Sequence, residues 1–247
     1  MNAARRWRVK LPLAALAAGA WACGSGNAAG DAAPSGGGPR VDATRLPAPG
    51  SSTLARIQRC PDGEVLLPDG RTQRLHTLLQ GRISLLSFMY TYCRDPIGCP
   101  LAYSVMTQTR DALLRDAALA AQAQLVSLSF DPSHDTPEQM AIYSRGLADP
   151  RRLRWHFLTT ASVAKLMPLL NGLGQDVSVE VDSRGRPTRT LNHLLKLFLI
   201  DARLSVREIY SVATLDVAVL VHELRTRALE AARAGGLRDA FDSLSPR

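Results

Sequence analysis

Two cysteines, Cys93 and Cys99, stand where a strongly apolar segment gives way to a segment of helical periodicity. The apolar run over residues 82–93 is typical of a central buried strand, and Pro100 is placed for the start of the following helix. The amides at a helix N-terminus stabilise thiolate and lower a cysteine pKa from about 8.5 to roughly 3.5–7.5. The pair could therefore form a redox-active disulfide or chelate a soft metal ion. The spacing of the two cysteines alone fits a purely structural disulfide equally well.

The other two cysteines are Cys23 and Cys60. Four cysteines in a chain of 247 residues are too few for a disulfide scaffold, so each is considered singly as an anchor, a redox group or a metal ligand. Cys60 could be a free thiol, half of an intermolecular bridge or a target of thiol exchange, and the sequence leaves these three roles open.

The N-terminus has the order of a secretory signal peptide: a basic segment, an apolar run over 11–22, and then a stretch rich in Gly, Ala, Pro and Ser. The apolar run is short for a membrane span, which needs about 20 residues. Cys23 resembles the lipidation site of a bacterial lipoprotein, with cleavage after Ala22 and no lipid as the alternative. We predict a signal peptide over 1–22 and a lipidated cysteine with a flexible tether over 23–52. This would place the protein on the periplasmic side of a membrane in a bacterial cell envelope.

Part of the formal net charge of +8 at pH 7 lies in the predicted signal peptide. Residues 1–22 hold four basic and no acidic side chains, so the remainder carries +4. The basic residues are scattered among Leu and Ala rather than interleaved with aromatic residues, and no nucleic-acid-binding motif is visible. We therefore predict no nucleic-acid partner.

Beyond the cysteines, short apolar runs alternate with segments of helical periodicity, which favours an α/β sandwich. A second buried strand is predicted at 124–130. Thr136 is placed to cap the next helix, with Pro137 at the first helical position and Gln139 completing a capping box. Residues 63–79, with a Pro-Asp-Gly turn at 68–70, predict a hairpin that leads into the sheet. The segments 194–201 and 205–211 form a second predicted hairpin. We expect one domain over 53–230, followed by a polar C-terminal tail over 231–247.

Three segments resemble the Sco/SenC family. They are SFMYTYCRDPIGCPLAYSVM, where an aromatic-Thr segment precedes a cysteine pair and Pro, then SLSFDPSHDTPEQMAIY, and NHLLKLFLIDARLSVREIY, where a histidine precedes a Leu-Ile-Asp strand. Five residues separate the two cysteines, whereas the commonest family pattern has three. The resemblance covers most of residues 60–215. It implies a single-domain, thioredoxin-like three-layer α/β sandwich with a central mixed sheet.

By this resemblance, Cys93, Cys99 and His193 correspond to copper ligands. Two soft thiolates suit Cu(I), and an imidazole nitrogen also suits Cu(II). The resemblance implies a copper metallochaperone that delivers the metal to the dinuclear centre in the copper-bearing subunit of cytochrome c oxidase, without catalytic turnover. Asp131 and Asp135 are expected to serve in turns and caps. The histidines that match no ligand position are His76, His134, His156 and His222, and His134 is expected to be exposed.

Three alternative functions stay open. A thiol-disulfide oxidoreductase would use Cys93 and Cys99 to reduce the oxidised, copper-binding cysteines of the oxidase subunit, and His193 would then be dispensable. A thiol peroxidase, loosely suggested by Thr91, Cys93 and Arg94, is disfavoured by the second cysteine so close by. A copper-responsive or redox-responsive accessory protein would signal through a partner.

Overall fold

The computed structural model describes residues 45–52, 55–93, 98–149 and 151–244, apart from the side chains at 98–99, 189 and 235–244. The predicted signal peptide, Cys23 and most of the predicted tether lie outside these residues. The described residues all belong to one compact unit. None of the helices in these ranges is both long and apolar enough to span a bilayer.

The described residues form ten strands and six helices. The strands are β1 (Gln58–Arg59), β2 (Glu64–Leu66), β3 (Thr72–Arg74), β4 (Ile83–Met89), β5 (Ala123–Ser129), β6 (Arg154–Leu158), β7 (Val177–Val181), β8 (Pro187–His193), β9 (Lys196–Ile200) and β10 (Ser205–Ser211). The helices are α1 (Leu75–Leu79), α2 (Gly98–Leu114), α3 (Ala117–Gln122), α4 (Pro137–Tyr143), α5 (Val163–Leu173) and α6 (Val217–Leu244).

The main sheet has six strands in the order β1-β10-β9-β4-β5-β6. Strand β4 pairs in parallel with β5, and β5 pairs in parallel with β6. On its other side, β4 pairs antiparallel with β9, and the antiparallel pairing continues through β10 to β1. The predicted central mixed sheet is therefore confirmed, with the run before Cys93 as an interior strand.

Both faces of β4 are covered, and all seven of its residues are buried. Leu85 and Met89 face the core layer that includes residues of α2, α4 and α6. Leu86 and Phe88, on the opposite face, contact the layer that includes α1 and α5. Side chains of a strand alternate between faces, so one continuous apolar run supplies both cores of a three-layer sandwich.

The helix ends follow the local signals. The Thr136 hydroxyl accepts a hydrogen bond from the Gln139 amide at the start of α4, and Pro137 occupies the first helical position. The return bond of the predicted capping box does not form, because the Thr136 amide donates to the His134 carbonyl instead. Helix α5 ends at Gly174, whose φ of 61° is a left-handed conformation that glycine adopts without strain.

Two parts of the chain differ from the predicted organisation. The β2–β3 hairpin does not join the main sheet: it pairs within itself and contacts the end of β6 through Leu66 and Thr159. Residues 231–244, predicted to begin a polar tail, continue helix α6.

Candidate copper and thiol site

The sheet topology brings the segments of Cys93 and His193 to the same end of β4. Cys93 follows the last residue of β4 by four positions, and β9 runs antiparallel to β4 with Leu197 opposite Ser87. Residues just before β9 therefore lie beyond the carboxyl end of β4. His193 is the last residue of β8, three positions before β9 begins. One hundred residues of sequence thus separate two groups that the fold places at one edge.

His193 has a defined orientation. Its Nδ1 lies 2.9 Å from the carbonyl oxygen of Leu191, and because a carbonyl can only accept, Nδ1 carries the proton. Nε2 then keeps its lone pair. The ring packs against Phe130, with centroids 4.5 Å apart, and against Tyr90 at 5.9 Å. Metal-binding histidines commonly donate their second ring N–H to a carbonyl in this way, which fixes the tautomer and the ring plane.

A small cavity of about 30 Å³ connects His193 with helix α2. Tyr103 and Met106 of α2 line it together with His193 and Tyr90. Cys99 is the second residue of α2, one helical turn before Tyr103. The helix that carries the second cysteine therefore packs next to the histidine.

Cys93 is disulfide-bonded and half-buried. Its amide donates to the Tyr90 carbonyl over 3.3 Å, which closes a tight turn directly after β4. Cys93 and Leu191 both pack against the core layer on the α5 side of the sheet. The sulfur of Cys93 is thus oxidised, and the turn after the central strand fixes the backbone of this residue.

Asp135 ties the loop before Cys93 to the next loop of the fold. Its side chain is fully buried, with 0% exposed, and accepts hydrogen bonds from the Thr91 amide at 3.0 Å and the Thr91 hydroxyl at 2.5 Å. Ser129 donates to it at 2.6 Å, and His134 Nδ1 lies 3.0 Å away. These donors satisfy the hydrogen-bonding capacity of the buried side chain. Asp135 is structural, as predicted, but it joins two loops rather than capping a helix.

Tyr92 and His134 form a second link between the same loops. The Tyr92 hydroxyl donates to Asp131 Oδ2 over 2.5 Å, and the Tyr92 and His134 rings have centroids 4.3 Å apart. Asp131 also accepts from the Ser133 amide at 3.0 Å, which is the turn role predicted for it. The expectation that His134 is exposed needs correction: its side chain is 35% exposed, because Tyr92 covers one face of the ring and Asp135 holds Nδ1.

Cys60 is a free cysteine that is only 1% exposed. Burial, aided by the negative charge of Asp62, raises the pKa of its thiol to about 12. A thiol with such a pKa holds almost no thiolate at neutral pH and reacts slowly. Of the three roles left open by the sequence, the structure therefore selects the inert free thiol.

The remaining histidines lie away from Cys93. His76 Nε2 donates to the Cys60 carbonyl over 2.8 Å, His156 belongs to β6, and His222 is buried in α6. Within the described side chains, no group of three or more His, Cys, Asp or Glu surrounds a common metal position. The predicted ligand set includes Cys99, whose side chain lies outside that description.

The architecture is a thioredoxin-like α/β sandwich with a cysteine pair and an oriented histidine at one end of its central strand. A sequence model of the SCO1/SenC family matches residues 69–228. Because that match spans more than half of the chain, the chain belongs to the SCO1/SenC family. No curated protein matches it at significant sequence similarity.

Several solved structures share the fold. A SCO1/SenC family lipoprotein from Bacillus anthracis is 19% identical, with 72% of this chain and 99% of that chain covered and a TM-score of 0.58. BsSco, a member of the Sco family of cytochrome c oxidase assembly proteins with a disulfide switch, is 17% identical, with coverage of 72% and 98% and a TM-score of 0.55. Yeast Sco1 with copper bound is 16% identical, with coverage of 68% and 90% and a TM-score of 0.54. These likenesses establish the fold.

Proposed function

We propose that the protein is a copper metallochaperone whose site consists of Cys93, Cys99 and His193. The observation that carries the proposal is the orientation of His193, whose Nδ1–H is held by the Leu191 carbonyl so that Nε2 is left as a ligand. His193 also lies at the edge of the sheet that carries the segment of Cys93. Yeast Sco1, which shares the fold, binds copper.

The donor set suits a metal that changes oxidation state. After reduction of the disulfide, two thiolates hold Cu(I), and the imidazole adds a borderline ligand that also accepts Cu(II). The metal is cargo here, so the site must bind it and also release it by ligand exchange. Hydrogen bonds from Thr91 to Asp135 fix the backbone two residues before Cys93.

The recipient in this proposal is the dinuclear copper centre in the copper-bearing subunit of cytochrome c oxidase. Its support is the family membership and the description of BsSco as an oxidase assembly protein. We further propose that a lipid on Cys23 holds the domain at the periplasmic side of a bacterial membrane, where that centre is built. The lipoprotein from Bacillus anthracis supports the anchor.

A second function, thiol-disulfide oxidoreductase, is compatible with one observation: Cys93 is disulfide-bonded. In that function the reduced pair attacks a disulfide of the oxidase subunit, passes two electrons to it as two thiols, and is left as the Cys93–Cys99 disulfide. His193 would then contribute nothing to the chemistry.

Anaerobic copper titration of the reduced protein tests the proposal. We expect one Cu(II) per chain with a thiolate-to-copper charge-transfer band, and loss of stable binding in Cys93→Ala and in Cys99→Ala. Cys60→Ala is the matched control and should bind copper like the wild type. If the wild type binds no copper but readily reduces a disulfide substrate, the oxidoreductase is the correct assignment.

A further inference from the structure

A cavity of about 800 Å³ opens at the amino end of β4, on the opposite side of the domain from Cys93. Ile83, the first residue of β4, lines this cavity, whereas Met89 ends the strand beside the cysteine loop. At about 3.3 Å per residue, the two ends of the strand lie about 20 Å apart. A ligand in this cavity would therefore not touch the copper and thiol site.

Three exposed arginines surround the cavity: Arg56, Arg59 and Arg203. Within the described part of the chain, their guanidinium groups form no hydrogen bond and no ion pair. Three like charges at one opening repel one another, and no acidic side chain offsets them directly. Such an opening attracts anions.

Two buried arginines form the floor. Arg207 Nη1 lies 2.9 Å from Asp201 Oδ2 and 3.3 Å from Glu230 Oε2, and Arg227 Nη1 lies 2.6 Å from the same Glu230 oxygen. The two carboxylates therefore neutralise the two floor arginines. The cavity as a whole has five arginines against two carboxylates, and the unmatched charge sits at the opening.

The floor also keeps unused donors. Arg227 is 2% exposed, and its Nε and Nη2 have no hydrogen-bond partner among the described residues; the carboxylate of Glu223 stands 4.0 Å from Nη2. Burial lowers the pKa of Arg227, and the neighbouring charge of Arg207 adds to this effect. Two carboxylate oxygens beside Arg227, Glu223 Oε2 and Glu230 Oε1, also have no hydrogen-bond partner among the described residues, so the hydrogen bonds of this floor are not saturated.

We propose that this cavity, the arginine pocket, binds a phosphate-bearing anion. Guanidinium groups form paired hydrogen bonds with phosphate oxygens, and Arg is the side chain best matched to that geometry. The volume exceeds that of one phosphate and leaves room for a second group attached to it. Free phosphates and the phosphodiester headgroup of an anionic phospholipid share this chemistry.

Calorimetric titration of the full-length protein in zwitterionic detergent micelles tests the pocket, with inorganic pyrophosphate and a short-chain phosphatidylglycerol as separate probes. We expect saturable one-to-one binding that weakens at least about tenfold in Arg59→Glu/Arg203→Glu. The control Arg145→Glu/Arg184→Glu reverses two exposed arginines outside the pocket and should bind like the wild type. Thermal unfolding of both double variants checks that each is folded.

The two probes distinguish the source of the anion. Tighter binding of phosphatidylglycerol than of pyrophosphate identifies a lipid headgroup, and the reverse order identifies a free phosphate. Equal weakening in both double variants would show a general charge effect and overturn the proposal, as would the absence of saturable binding to either probe. Copper binding should be unchanged in the pocket variant, so this test is independent of the copper proposal.

Discussion

The hydroxyl of Thr91 donates a hydrogen bond of 2.5 Å to Asp135 Oδ1, and this bond joins the loop before Cys93 to a carboxylate that solvent does not reach. Forty-four residues separate the two partners in sequence. The position of the cysteine loop therefore depends on a buried side chain in a different loop.

Asp135→Asn should destabilise the fold by about 2–4 kcal/mol, because the amide replaces an acceptor of several donors with a group that is itself partly a donor. Urea unfolding measures the change. The exposed Asp149→Asn is the matched control and should change the free energy of unfolding by less than about 0.5 kcal/mol. Equal stability of the two variants would show that the hydrogen bonds of Asp135 do not hold the two loops together.

His193→Ala should weaken Cu(II) binding by about 100-fold and Cu(I) binding by less than about tenfold, since the two thiolates remain and satisfy the softer ion. His134→Ala removes another histidine at the same end of the sheet and should leave both affinities within about twofold of the wild type. Competition with chelators of known affinity measures both ions. Unchanged Cu(II) affinity in His193→Ala would remove the histidine from the ligand set and favour the oxidoreductase.

Cys60 should resist alkylation in the folded protein. With a pKa of about 12, its thiolate fraction at pH 8 is on the order of 10⁻⁴, so it should react more than about 1,000-fold more slowly than an exposed cysteine. Mass spectrometry of the peptide that contains Cys60, after iodoacetamide treatment with and without urea, checks this. Rapid labelling without urea would mean that the segment opens readily.

His156 should make the fold sensitive to acid. Burial, together with the charges of Arg154 and Arg82, lowers its pKa from 6.5 to about 4. Below about pH 6.5 the imidazole of His156 binds a proton in the unfolded chain, whereas in the folded chain it binds one only near pH 4. The free energy of unfolding therefore falls as the pH is lowered from about 6.5 to about 4.

Between pH 7 and pH 4.5, His156→Gln should lose about 2 kcal/mol less stability than the wild type. Urea unfolding of the oxidised protein at both pH values gives the comparison, and the carboxylates that titrate in the same range cancel between the two proteins. Parallel pH profiles for the two proteins would show that His156 is already solvated in the fold.

The central part of the fold was predictable from the sequence because its signals are local and strong. Five of the seven residues of β4 are apolar, which is typical of an interior strand covered on both faces, and Thr136 with Pro137 marks the start of α4. The β7–β8 hairpin was not predicted. Valine alternates with polar residues along β7, but Val179 and Val181 are exposed, so the alternation does not mark a buried face. His193 is the last residue of β8 in this hairpin.

The buried network around Asp135 could not be predicted for a different reason. An Asp two residues before a helix-starting Pro is sufficiently explained by turn chemistry, and nothing local indicates that Thr91 and Ser129 will point toward it. Those contacts exist only because β4 and β5 pair in parallel and end side by side, with the Phe130 amide donating to the Met89 carbonyl.

The antiparallel return of β9 beside β4 also determines when the site can exist. Cys93 and Cys99 are close in sequence, so an unfolded chain can already join them in a small ring. His193 reaches this edge only when Leu197 pairs with Ser87, which is 110 positions earlier in the sequence, and contacts between such distant residues are among the slowest to form. The histidine of the proposed site therefore takes its place late in folding, after the two cysteines are already within reach of each other.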